Sequence, residues 1–335
     1  MRKDWIEAFP AAQRETARAA LAGAFGPAQI DTVTPVGGGA SGALPYRVEV
    51  GGRPYLLRIE GKASPLRNPH QYHALRIAAA SGIAPVVHHI DEVARVVVTD
   101  FIAHRPLQTY PGGPAALVVA IGALLARLQE GPVFPHFVDY PDIVGRLFAH
   151  VRRTGLFADG LLDAHFERLG RISQAYAGGL DRLVASHNDL IPGNILFDGQ
   201  RLWLIDWESA YRNDPLVDVA TVLDTLATAP ALEAAFLRAW LGRAPDADLL
   251  TRLELTRALT RLYYAGVMLS GSAAAGRAAP DTDLSCPSLE DFRQAIADGL
   301  LTPGTVETRH LLGKMFLASF LTGAEPPGFE HAVLA

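Results

Sequence analysis

The run Ser186-His-Asn-Asp-Leu-Ile-Pro-Gly-Asn194, with Leu204-Ile-Asp-Trp-Glu208 shortly after it, constrains this chain more than any other stretch. Asn194–Phe197 and Leu202–Ile205 are apolar runs of strand type, and Asp198-Gly199 between them is a strong short-turn signal. The pattern predicts an antiparallel hairpin. Such a hairpin sets the start of its first strand beside the end of its second, where Asn194 and Asp206 stand. Asp189 lies on the loop leading in, which Pro192 and Gly193 turn sharply.

Asp-x4-Asn followed by a carboxylate after the next strand is the residue set that ATP-dependent phosphoryl transfer needs. One carboxylate, Asp189, accepts the proton of an attacking hydroxyl. The amide of Asn194 and the carboxylate of Asp206 supply the hard oxygen ligands that Mg²⁺ takes alongside phosphates and water. The transferred group is highly charged and offers little covalent chemistry, so position and electrostatics carry the rate. His187, two residues upstream, reads as a brace for the loop backbone and not as the base.

A second signal lies near the start. Val33–Val36 reads as a strand running into Gly37-Gly-Gly-Ala-Ser-Gly42. Tyr46–Val50, the turn Gly51-Gly52 and Tyr55–Ile59 follow as two more strands. Glycine lacks a Cβ and lets backbone N–H groups approach a phosphate closely. The segment is therefore read as a flap over the ATP phosphates, with Gly37, Gly38, Gly39 and the Ser41 hydroxyl as contacts. The cationic strand residue one hairpin later is Arg58, which can bind two phosphate oxygens at once. Lys62 reads as a solvated loop residue.

His-Asn-Asp-Leu-Ile-Pro-Gly-Asn-Ile-Leu with Leu-Ile-Asp-Trp-Glu resembles the choline/ethanolamine kinase branch of the aminoglycoside-phosphotransferase superfamily, whose fold is protein-kinase-like. The resemblance runs from about Val36 to the segment Val217-Asp218-Val219-Ala220 and is looser beyond. It implies an α+β, bilobal protein. A small antiparallel-sheet lobe over residues 1–104 would hold the nucleotide, and a larger helical lobe over 105–335 would hold the catalytic hairpin and the acceptor. It also implies a hinge after the strand Arg95–Thr99, where the Asp100 carbonyl and the Ile102 N–H take the adenine edge. Asp218 takes a structural place. Relatives carry a glutamate on the helix 69–81 that pairs with the strand cation. Here that position falls at Gln71, so the pairing is either neutral or served by another carboxylate.

Length and composition agree with a two-lobed globular protein. Of 335 residues 49% are apolar and 19% charged. No apolar run is long enough to span a bilayer. Met1-Arg-Lys-Asp-Trp5 lacks a signal core, and the single cysteine, Cys286, excludes an internal disulfide, so a cytoplasmic location is expected. Lys and Arg number 11 against 9 Asp and Glu in residues 1–104, and 19 against 26 in the rest. A mildly basic first lobe suits a nucleotide. An acidic second lobe suits a cationic acceptor better than nucleic acid.

Trp207, Glu208, Tyr211, Tyr263 and Tyr264 are the acceptor candidates, since aromatic faces and carboxylates hold an ammonium group. Choline, ethanolamine or a similar amino alcohol leads by resemblance. Aminoglycosides, thiamine and amino sugars stay open, as does a nucleotide-binding pseudokinase, which Gln71 favours. Beyond residue 110 helices are expected at 115–129, 143–153, 163–176, from 215, and at 231–242, 248–270, 288–298 and 305–322. Residues 4–25 read as one amphipathic helix, and 271–287 as a mobile loop.

Overall fold

The computed structural model describes residues 5–37, 44–61, 68–176, 183–276 and 279–323. The chain forms two compact units, one of Met1–Tyr110 with Ile195–Ser209, the other of Pro111–Asn194 with Ala210–Ala335. The hairpin thus belongs to the sheet-bearing unit, whereas the partition at 104–105 kept it with the helices. Backbone hydrogen bonds explain this. Leu204 N–H donates to the Ile83 carbonyl at 3.0 Å, and Arg105 N–H to the Phe197 carbonyl at 2.7 Å.

The first unit opens with 3-10 turns at Trp5–Ala8 and Ala11–Gln13 before α1, Arg14–Phe25. The single helix expected over 4–25 is broken because Pro10 has no N–H to donate and its ring obstructs the preceding turn. Then come β1 (Ile30–Pro35), β2 (Leu44–Val50), β3 (Arg53–Ile59), α2 (Gln71–Ala80), β4 (Val87–Asp91) and β5 (Val96–Asp100). The sheet order is β1-β2-β3-β5-β4, with every pair antiparallel. Gly51 and Gly52 join β2 to β3 with φ of +58° and +73°, the left-handed pair that a two-residue hairpin turn requires. Tyr46, Val48, Leu57, Ile59, Val96 and Val98 pack with Phe9 and Leu21 into one core. Strand side chains alternate between faces. With Leu57 and Ile59 in the core, Arg58 therefore points from the opposite face.

The second unit begins with α3 (Gly113–Gln129), α4 (Tyr140–Arg153), α5 (Asp163–Tyr176) and β6 (Val184–Ser186). The chain crosses to the first unit for the hairpin β7 (Ile195–Phe197) and β8 (Leu202–Leu204). It returns with β9 (Tyr211–Asn213), α6 (Leu216–Thr225), α7 (Pro230–Leu241), α8 (Ala247–Ala274), α9 (Leu289–Ala297) and α10 (Val306–Thr322). The α+β expectation, an antiparallel sheet followed by a helical body, holds. All ten residues of α6 are buried. Helix α8 packs against α4, α6 and α10. A Cβ at Gly266 would lie 2.7 Å from Leu147 Cγ, so glycine is what lets α8 and α4 approach so closely.

Residues 271–287 differ from the expected mobile loop. Helix α8 runs on to Ala274, and Asp281 pairs with His310 Nε2 at 2.8 Å and Lys314 Nζ at 3.1 Å. Burial would raise the Asp281 carboxyl, but His310, the Asp283 N–H and Lys314 together outweigh it and hold it at about 2. Arg277 and Ala278 lie outside the described residues.

One buried histidine carries a stability prediction. His165 is 1% exposed and lies near the rings of Phe148 and Phe320, each centroid 6.0 Å away. Burial pushes its imidazole down to about 4, with the Leu317 backbone pulling the other way. The unfolded chain takes up this proton near pH 6.5, whereas the folded chain holds out to about 4. Stability is therefore full above pH 6.5 and falls as the pH drops towards 4, by on the order of 3 kcal/mol. Denaturant unfolding of the parent and His165→Leu at pH 7 and pH 5 should show a smaller acid loss in the variant.

Candidate active site

The loop after β6 is built around a buried carboxylate. Strand β6 pairs with β9, Ser186 opposite Tyr211. Asp218, in the first turn of α6, accepts from Ser186 Oγ, His187 N–H and Asn188 N–H, each at 2.8 Å. Complete burial pushes the Asp218 carboxyl above its ordinary range, against the influence of neighbouring His187 and these three hydrogen bonds. His187 is buried, and its backbone N–H is one of the three donors to Asp218.

Asn188, which the sequence reading passed over, makes the turn that aims Asp189. Its φ is +62°, a region that asparagine tolerates better than most residues. Its amide donates towards the Tyr211 carbonyl at 3.3 Å, and its Oδ1 accepts from Asn213 at 2.7 Å. The Asn-Asp order was the available signal.

Asp189 follows, and its two carboxylate oxygens meet different donors. Asn194 Nδ2 donates to Oδ2 at 3.0 Å and to the Asp189 carbonyl at 2.8 Å. Tyr264 in α8 donates its hydroxyl to Oδ1 at 3.0 Å. Asn194 spends its amide N–H on Asp189, which leaves its Oδ1 as the group suited to a hard cation.

In the first unit, Asp198 Oδ1 accepts from Gln200 N–H at 2.7 Å and Arg201 N–H at 2.8 Å, closing the hairpin loop. Register Ile195 opposite Leu204 is as the apolar runs predict. Asp206 has φ of +64°, a strained setting for a residue bearing a carboxylate. Its Oδ1 takes Arg58 Nη1 at 2.9 Å, while Arg58 Nη2 takes Glu208. The 3-10 turn Trp207–Ser209 packs against α2. Gln71 does not reach for the guanidinium. Its Nε2 donates to both oxygens of Glu60 at 3.1 Å, and Tyr72 donates its hydroxyl to Glu60 at 2.8 Å. The strand cation has thus found its carboxylates on the hairpin, the second of the two alternatives the sequence left open.

The remaining candidates divide. Asp100 pairs its carboxylate with His88 at 2.8 Å, and the Ile102 N–H has no partner among the described residues. Gly37 is described, whereas Gly38, Gly39, Ser41 and Lys62 lie outside the described residues. Trp207 is buried and donates to the Leu204 carbonyl at 3.1 Å. Tyr211 and Tyr264 are buried at 4% and 5% exposure, too enclosed to present a ring face, while Tyr263 is half-buried. Glu208 belongs to Arg58. Among the described residues no group of three or more His, Cys, Asp or Glu could hold a metal ion.

Residues 32–253, two-thirds of the chain, match the phosphotransferase enzyme family, and the chain belongs to that family. The LicA protein of Haemophilus influenzae is 53% identical over 38 residues, which are 11% of this chain and only 14% of that protein. The chain is similar to a choline/ethanolamine kinase family protein from Mesorhizobium loti, with a TM-score of 0.61 and 26% identity, covering 90% of this chain and 98% of that one. The choline kinase LicA from Streptococcus pneumoniae shares the fold, with a TM-score of 0.59 at 16% identity over 86% of this chain and 98% of its own. Among the described residues no helix is long and apolar enough to cross a membrane.

Proposed function

We propose that this phosphotransferase is an ATP- and magnesium-dependent kinase that phosphorylates the hydroxyl of a small cationic compound. The observation that carries this reading is the Asp189–Asn194 loop. The backbone of His187 and Asn188 leading into it is tied to Asp218, the Asp189 carboxylate is oriented by two donors, and the Asn194 amide oxygen is left for a cation. Asp189 accepts the proton of the attacking hydroxyl. Asn194 Oδ1 and the Asp206 carboxylate hold magnesium, which when bound offsets the charge of the phosphates. Arg58 and the Gly37–Gly42 segment hold the phosphate oxygens. The Asp100 carbonyl and the Ile102 N–H, which has no partner among the described residues, suit the edge of adenine.

The acceptor class rests on two supports. The similar proteins carry choline/ethanolamine kinase names, and residues 105–335 hold 26 acidic against 19 basic side chains. With Trp207, Tyr211 and Tyr264 buried, an aromatic enclosure for a quaternary ammonium is incomplete. A primary or otherwise smaller amine fits this chain as well as choline does. Gln71 gives little weight to a pseudokinase, because Arg58 has its carboxylates elsewhere.

The test is ATP consumption, with and without Mg²⁺, against choline, ethanolamine, thiamine, an aminoglycoside and a neutral sugar. Turnover should need Mg²⁺ and rise with the amines. Preference for the neutral sugar would overturn the cationic acceptor, and flat consumption with all five would overturn the kinase reading.

A further inference from the structure

Tyr264 stands out because its setting contradicts the role its residue type first suggests. A tyrosine near a site for a cationic compound invites a cation–π reading. That role needs an open ring face, and Tyr264 is 5% exposed. Its ring lies 5.4 Å from that of Tyr263 and 6.0 Å from that of Phe316. Only the hydroxyl has a polar task. It donates to Asp189 Oδ1 at 3.0 Å, from a helix 75 residues away in sequence. Burial, then the Asp189 charge, push the phenol well above its ordinary range, so it stays a proton donor, although the Thr221 side chain hydrogen-bonds it and pulls the other way.

The geometry around Asp189 gives that donation a purpose. The terminal torsion of an aspartate is broad and poorly defined on its own. Asn194 fixes one oxygen from the loop, and Tyr264 fixes the other from α8. Two donors on different oxygens, from two elements, fix the plane of the carboxylate. A base that must meet a hydroxyl within hydrogen-bond reach gains from this, because small misplacements of a reacting group cost large factors in rate.

We propose that Tyr264 is a positioning residue for Asp189, acting through its hydroxyl, and not a contact to the acceptor. The proposal rests on the reading of Asp189 as the proton acceptor. Tyr264→Phe keeps the ring and removes only the hydroxyl, so the fold should survive.

The experiment compares the parent, Tyr264→Phe, Asp189→Asn and the double variant, with saturating ATP and Mg²⁺. Choline is the acceptor, or whichever compound of the panel above the parent turns over fastest. The expected result is a kcat about 10- to 100-fold lower in Tyr264→Phe, the scale of a lost hydrogen bond to a charged group. KM for ATP and for the acceptor should stay within about twofold, since no binding contact is removed. The melting temperature should stay close to the parent's, and the double variant should be no slower than Asp189→Asn. A raised acceptor KM with intact kcat would make Tyr264 an acceptor contact and overturn the proposal. Parent-like kinetics in Tyr264→Phe beside a crippled Asp189→Asn would overturn the positioning role alone. An active Asp189→Asn would remove the base reading, and the proposal with it.

Discussion

Asp189→Asn should lower turnover by at least ~10²-fold, the scale on which a general base acts, and leave nucleotide binding near that of the parent. The amide is isosteric and can still accept from Tyr264 through its oxygen, but it cannot take a proton from a hydroxyl. Asn194 Nδ2 now donates to Asp189 Oδ2 and to the Asp189 carbonyl. In the variant an amide N–H₂ faces that donor in one of its two orientations, so the pair survives only in the other. Calorimetric binding of Mg-ADP measured beside turnover separates chemistry from binding. Near-normal turnover in a folded variant would remove Asp189 from the base role.

Asp218→Ala should give the largest loss of stability among the site variants, about 3–5 kcal/mol. Three donors, Ser186 Oγ and the N–H groups of His187 and Asn188, share this one buried carboxylate. The alanine leaves all three inside the protein with no acceptor. Activity should fall with stability, because the same bonds hold the backbone that precedes Asp189. Urea unfolding read by circular dichroism, with the residual activity of the folded fraction, checks both effects. A variant that unfolds like the parent would mean that water or another acceptor replaces the carboxylate.

What was legible in the sequence follows from how local each feature is. The hairpin, its Asp198-Gly199 turn and the spacing of Asp189, Asn194 and Asp206 are short-range patterns, and the strands and helices around them appear within a few residues of expectation. Strand β4 was missed because Val87-His-His-Ile-Asp91 is polar and only half-buried, as an edge strand can be. Helix α1 was overextended because an apolar period ran through Pro10. The partners of Arg58 were out of reach, since Asp206 and Glu208 lie 148 and 150 residues away. The roles of Glu60 and Tyr264 depend on pairings of the same tertiary kind. Asn188 is different, because its place before Asp189 was visible but its left-handed turn was not. The phosphate contacts expected of Gly38, Gly39 and Ser41 lie outside the described residues.

The arrangement of Arg58, Glu208, Gln71 and Glu60 bears on regulation. In protein kinases a strand lysine and a helix glutamate form an ion pair, and control of activity works by making or breaking it through movement of the helix. Here Asp206 and Glu208, which pair with Arg58, come from the turn after β8, while Gln71 and Tyr72 of α2 donate to Glu60 without carrying charge. Helix α2 packs against that turn. Tilting α2 would break bonds to Glu60 and leave the guanidinium's ion pairs in place. Because α2 carries no carboxylate, a shift of that helix would bear on the strand cation only through the turn after β8 and not through a charge of its own.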